Sequence, residues 1–154
     1  MNAETAIARI KKSTHDISDE YSTEECLTFL NTAIQQVASL LISARWPSLA
    51  KEIDIHEGET LPENYMGPCG TYPIRMTEGK AHILDGSEYV RFRYFATPKA
   101  IENETEDLPF NHDAIDEVVV KAATILALNE NEYDISQDNA ILSALQQAIS
   151  AGMS

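Results

Sequence analysis

The sequence predicts an α+β protein: mainly a helical bundle of about four helices, with a small antiparallel β insertion between the second and third helices. Three observations predict it. Apolar residues recur at three- and four-residue spacing through residues 22–46. Between Ile53 and Phe95 the spacing falls to period two. After Asp113 the helical period returns.

The first helix runs from Thr5 to about Asp16, with Ala6, Ile7, Ile10 and then Ile17 along one narrow edge. Residues 15–21 form a polar connection, and Tyr21 stands where an apolar group staples onto the first turn of a following helix, here Cys26 or Leu27. The central helix opens with a capping box, Ser22-Thr23-Glu24-Glu25. In it the Ser22 hydroxyl accepts from the Glu25 amide and the Glu25 carboxylate accepts from the Ser22 amide. Leu27, Leu30, Ile34, Val37 and Leu41 make its stripe, broadened by Cys26, Phe29, Ala33, Ala38 and Leu40. Trp46-Pro47 ends it, because proline lacks the amide proton and pushes the preceding residue out of helical geometry. Trp46 is left at a corner, a core position unless the face around it is exposed.

Ile53 and Ile55 flank Asp54 as a short strand, and His56-Glu57-Gly58-Glu59 turns the chain. Residues 66–70 are loop. Tyr72, Ile74 and Met76 then alternate, with Pro73 marking an edge strand or a strand start. Glu78-Gly79 turns the chain, residues 81–84 return it, and Asp85-Gly86 is a hairpin signal. In the strand from Tyr89 to Phe95, Val90, Phe92 and Tyr94 face one way while Tyr89, Arg91, Arg93 and Phe95 face the other. Large groups on both faces suit a buried or partner-covered strand.

Residues 102–107 are acidic and aperiodic, and are expected to be mobile unless a partner holds them. Asp113 or Asn111 caps the next helix, whose stripe is Ile115, Val118, Val119, Ala122, Ala123, Leu126 and Ala127. Residues 129–132 break it, and a last helix runs from Ser136 to about Ala151. The expected organisation is one domain, residues 1–154, comprising an N-terminal helical pair (1–47), a β-rich insertion (48–98) and an acidic linker with a C-terminal helical pair (99–154).

At 154 residues the chain is long enough to bury a core without disulfides or metals. Its two cysteines, Cys26 and Cys69, supply neither a disulfide framework nor a four-thiol zinc site. The first residues lack an apolar core of signal-peptide length, and no run is expected to approach membrane-spanning length, so the expectation is a soluble protein, cytoplasmic when made, with no membrane partner. The net charge is -14, and beyond Ala100 only Lys121 offsets the acids. Sequence-specific nucleic-acid binding, which needs Lys and Arg against phosphates, is therefore not expected.

Catalytic chemistry has few candidates. His15, His56, His82 and His112 lie in four separate segments without metal-binding helical spacing, and no Walker lysine loop, dinucleotide fingerprint or nucleophile elbow occurs. His112, Asp113 and Asp116 share one helix start, where acids are favoured by the helix dipole without any metal. Cys69 in Gly67-Pro68-Cys69-Gly70 has no histidine beside it in sequence. The expectation is a non-enzyme with no cofactor and no metal. Arg91 and Arg93 suit either an acidic partner surface or a snorkelling sheet rim.

Several signatures occur in one order: residues 19–27 leading to Phe29-Leu30-Asn31-Thr32-Ala33-Ile34, then Arg45-Trp46-Pro47, Leu61-Pro62-Glu63-Asn64-Tyr65, Val90-Arg91-Phe92-Arg93-Tyr94, Thr97-Pro98 with the acidic linker, and residues 108–115 opening a helix. In this order the chain resembles the head-to-tail connector, or adaptor, proteins that form a ring beneath the portal of tailed bacteriophages. The resemblance implies a non-enzymatic structural subunit of a phage or prophage, one of about twelve in a ring. Its partners would be the portal protein, neighbouring copies of itself, and a tail or stopper protein. It would sit in the virion neck, and in the host cytoplasm before assembly. An acidic lumen would let DNA pass without binding it. The interface residues this reading selects are Trp46, Arg91, Arg93, Glu102, Glu104, Glu106 and Asp107, the arginines meeting a neighbour's acids. Two other readings compete: a soluble helical adaptor binding a partner protein or peptide, and a small hydrolase built on Cys69 or on His112 with Asp113 and Asp116.

Overall fold

The computed structural model describes residues 1–14, 21–129 and 134–153. In chain order these form α1 (Ala3–Ser13), α2 (Thr23–Ser43), a short 3-10 turn (Pro47–Leu49), β1 (Ala50–His56), β2 (Tyr65–Pro68), β3 (Ile74–Thr77), β4 (Lys80–Ile83), β5 (Tyr89–Ala96), α3 (Asp113–Leu128), a second 3-10 turn (Ile135–Gln137) and α4 (Asn139–Met153). The chain divides into two compact units, a helical one of Met1–Leu41 with Pro98–Ser154, and a β one of Ile42–Thr97.

The expected helical bundle with a small β insertion is therefore corrected. Ahead of the final two helices the described residues place five antiparallel strands in two sheets, ordered β1-β5-β2 and β3-β4. They form a compact unit with an apolar cluster of its own, Ile55, Ala81, Phe92, Tyr94 and Ala96. The cause is β5: eight residues long, it pairs on both sides, and its Phe92 and Tyr94 supply the largest groups of that cluster. Read strand by strand, the sequence hides this closure, because it depends on pairing between distant segments.

In the helical unit, each free amide of the first turn of α1 finds an acceptor. Ala3 donates to the Glu106 carbonyl at 2.8 Å and Glu4 to the Glu104 carbonyl at 3.0 Å. Thr5 donates to the side chain of the cap residue Asn2 at 2.9 Å, and Ala6 to its carbonyl at 3.1 Å. The capping box of α2 is present: the Glu25 amide donates to the Ser22 Oγ at 3.1 Å, and the Ser22 amide to the Glu25 Oε1 at 3.3 Å. The staple differs from expectation, for Tyr21 meets Phe29 edge-on with ring centres 5.7 Å apart, and its hydroxyl donates to the Ala127 carbonyl at 3.3 Å. Of the expected polar connection (15–21) and helix break (129–132), residues 15–20 and 130–132 lie outside the described residues, while Asn129 caps the end of α3.

Helix α3 is capped by His112, whose Nδ1 accepts from the Ile115 amide at 3.3 Å, rather than by Asp113 or Asn111. It packs against both α1 and α4. Ile10, Leu30, Ile34, Phe110, Ile115 and Leu126 are fully buried in this unit, each removing apolar surface from water for about 1.5–3 kcal/mol. By length and composition α2 is long and apolar enough to cross a membrane, at mean hydropathy 1.3, which corrects the expectation that no run approaches that length. Its Leu30, Ala33, Val37, Ala38 and Leu41 are fully buried along one stripe, the pattern of a core helix.

In the β unit, the Glu78-Gly79 turn joins β3 to β4, with φ of 53° and 77° at its two residues. Asp85-Gly86 makes no hairpin. Its Asp85 Oδ1 accepts from the Ser87 amide at 3.0 Å, and the chain passes from one sheet to the other, where β5 pairs with β1 and β2.

Candidate interaction surface

The register of β1 on β5 sorts the side chains into two faces. Ile55 opposes Val90 and Ile53 opposes Phe92 on the apolar face. On the outer face His56 opposes Tyr89, Asp54 opposes Arg91, and Glu52 opposes Arg93. The Arg91 Nε lies 3.3 Å from the Asp54 Oδ1 and 3.8 Å from the Glu52 Oε1, and the hydrogen bond to Asp54 above all raises the guanidinium's pKa further. Arg91 is thus engaged within its own chain. Arg93 is exposed, and its side chain has no hydrogen bond or ion pair among the described residues. Arg45, at φ 59°, closes this face, its guanidinium 5.4 Å from the Phe95 ring centre and donating to the Cys69 carbonyl at 2.7 Å. Trp46 is only 5% exposed, so its indole is core material in the free chain.

The four acidic site residues fall in the helical unit, where hydrogen bonds within the chain engage Glu102, Glu104 and Glu106. The backbone carbonyls of Glu104 and Glu106 close the start of α1, as described, and Asp107 bridges Asn2. The Glu106 carboxylate turns inward and accepts the amides of Glu102 at 2.6 Å and Asn103 at 2.9 Å, which hold its pKa below the usual range. Glu102 and Asp107 are exposed and Glu104 and Glu106 half-buried. The structure therefore gathers these four acids in one turn of the helical unit and places Arg91 and Arg93 together on one strand of the β unit.

Three features escape sequence reasoning. Asp116 is 1% exposed, with its Oδ2 3.2 Å from the α-ammonium of Met1 and its Oδ1 without a hydrogen-bond partner; burial raises its pKa. A groove of about 430 Å³ in the helical unit has Val120, Ile125 and Ile141 at its apolar side and the Arg9–Glu117 ion pair with Lys121 at its rim. A cleft of about 270 Å³ in the β unit is lined by Tyr65, Tyr72, Ile74, Met76 and Phe92 among others. Only the alternation of Tyr72, Ile74 and Met76 hinted at this cleft.

Among the described residues no three His, Cys, Asp or Glu side chains are placed to hold a metal ion. Asp116 is committed to the Met1 ammonium and His112 to the α3 cap. His56 pairs with Glu59 at 2.6 Å and His82 with Glu57 at 2.7 Å, each as a separate couple. Comparison with family models, with curated proteins and with solved structures finds no match for this chain.

Proposed function

We propose that this chain is a non-enzymatic structural subunit of a phage or prophage head–tail connector ring, docking beneath a portal and letting DNA pass. The observation that carries the reading beyond the order of motifs is the division of charge between the units. The helical unit holds 5 Lys and Arg against 17 Asp and Glu, a balance of -12, whereas the β unit holds 6 against 8, a balance of -2. Of the exposed large apolar side chains among the described residues, Met66, Met76, Leu84 and Tyr89 lie in the β unit and Leu128 in the helical unit.

A ring requires a heterologous contact, one patch of a subunit against a different patch of the next. A nearly neutral, partly apolar β unit with a free arginine at position 93, and an acidic helical unit, are two such unlike patches. Opposed charge of this kind sets register and specificity more than affinity and weakens with salt. An acidic ring surface repels DNA phosphates, which suits passage.

The test is the mass by light scattering of the purified protein, alone and mixed with the portal ring encoded nearby in the same genome. Several copies joining the portal is the expected result. A persistent monomer that ignores the portal overturns the reading. Arg93→Glu should reduce assembly at low salt, and unaltered assembly would remove the arginine from the interface.

A further inference from the structure

The two sheets of the β unit are stitched on one side and open on the other. The Gly58 amide donates to the Ala81 carbonyl and the Ala81 amide to the Glu59 carbonyl, both at 2.8 Å, and Thr60 bridges Lys80. Residues 58–60, which follow β1 in the chain, therefore join β4 edge to edge, with β5 and β2 on the far side of β1 and β3 on the far side of β4. Among the described residues, the step from β3 back to β2 has no backbone pairing. The aromatic cleft lies in that gap, with Tyr65 from β2, Ile74 and Met76 from β3, and Leu61, Tyr72 and Phe92 around them.

The backbone of β3 is poised toward the gap. Both polar groups of Ala81 are spent on residues 58–59, so its partner Met76 belongs to an outward-turned pair, and the N–H and C=O of Met76 point away from β4. By the same alternation the carbonyl of Ile74 points there too. The side chains of Ile74 and Met76 line the cleft, while Arg75 between them takes the opposite face. Arg75 is exposed, and its side chain has no hydrogen bond or ion pair among the described residues. None of the cleft-lining residues is charged, so an ionised group entering it would be desolvated without a partner.

We propose that this gap receives an extended segment of a partner protein as a strand added to β3. Its inward side chains are apolar and fill the cleft, and an acidic side chain on its outer face stands opposite Arg75. The charge complementarity with Arg75 selects an acidic-apolar alternation over a basic one. The proposal stands on the β unit alone and holds whether or not the chain assembles on a portal.

The test uses the full chain, isotope-labelled for amide NMR, with an acetylated nonapeptide alternating valine and glutamate as probe. The expected result is saturable shifts at the Met76 and Arg75 amides, with at least tenfold weaker binding of a valine–lysine alternation. Met76→Pro removes a donor that β4 does not use, a substitution an edge strand tolerates, and should abolish binding. Arg75→Glu should invert the preference between the two peptides, and it carries the test if the proline variant fails to fold. No saturable shift at Met76, or equal binding of the two peptides, overturns the proposal. Concentration-dependent self-association with the same shifts and no peptide assigns the gap to a second copy and overturns the partner assignment.

Discussion

Glu57 closes on His82 in the β unit, its Oε2 2.7 Å from the imidazole Nδ1, while its Oε1 accepts the amide of Ile83 at 2.8 Å. The turn after β1 is thereby fastened to β4. The amide bond first, and the imidazole second, hold the Glu57 carboxyl below its ordinary value of 4.5. A carboxyl with a lower pKa folded than unfolded stabilises fully above the unfolded value, and that contribution is lost as pH falls through the folded one. Glu57→Gln should therefore flatten part of the acid limb of stability in urea unfolding between about pH 5 and pH 3. An unchanged acid limb would refute the clasp.

Asp116 acts in the opposite sense. Burial raises its pKa above 3.8, so its proton is held more tightly folded than unfolded, and stability falls as pH rises from that value toward the folded one. At neutral pH the Met1 ammonium is its compensation. Asp116→Ala should cost about 1–3 kcal/mol in urea unfolding at pH 7, since it strands that ammonium at a site only 11% exposed. No loss would mean that water replaces the pair without penalty.

The start of α2 rests on a reciprocal pair of bonds between Ser22 and Glu25. Ser22→Ala removes one of them and should lower stability by about 1 kcal/mol. Thermal unfolding with calorimetric enthalpy would read this, and a variant as stable as the parent would show that water satisfies the Glu25 amide equally well.

Glu78 sits at φ 53° in the two-residue turn between β3 and β4. A carboxylate side chain gains nothing there that asparagine would not, and asparagine tolerates the left-handed region better. Glu78→Asn is expected to stabilise by about 0.5 kcal/mol, with Gly79→Ala destabilising because φ there is 77°. Slower amide exchange at Lys80 in the asparagine variant would agree.

Local chemistry was legible in the sequence, and chemistry that depends on distant partners was not. The Ser22–Glu25 capping box and the Glu78-Gly79 turn are made by residues within three positions of one another, and both are found. The neighbours of Tyr21 point to Cys26 or Leu27, yet Phe29 and the Ala127 carbonyl claim it, two turns and a hundred residues further on. Residues 102–107 have no periodicity to detect, because their order comes from carbonyls meeting the amides of α1, a bond any residue type makes. Asp85-Gly86 formed its local turn, but strand pairing was decided elsewhere. The site residues divide likewise. The shared face of Arg91 and Arg93 follows from period two, whereas the engagement of Arg91 by Asp54 required the register of β1 on β5.

Within the helical unit the chain returns to the helix it left. Asn31 clasps Ile101 in both directions, at 2.9 and 2.8 Å, and Gln35 donates to the Pro98 carbonyl at 3.0 Å. Leu41, where this unit gives way to the other, lies on the same helix as Gln35, a rise of about 9 Å along the axis. Departure and return are thus anchored on one helix of the scaffold, so the two ends of residues 42–97 are tied to α2 by that helix's own residues and their hydrogen bonds.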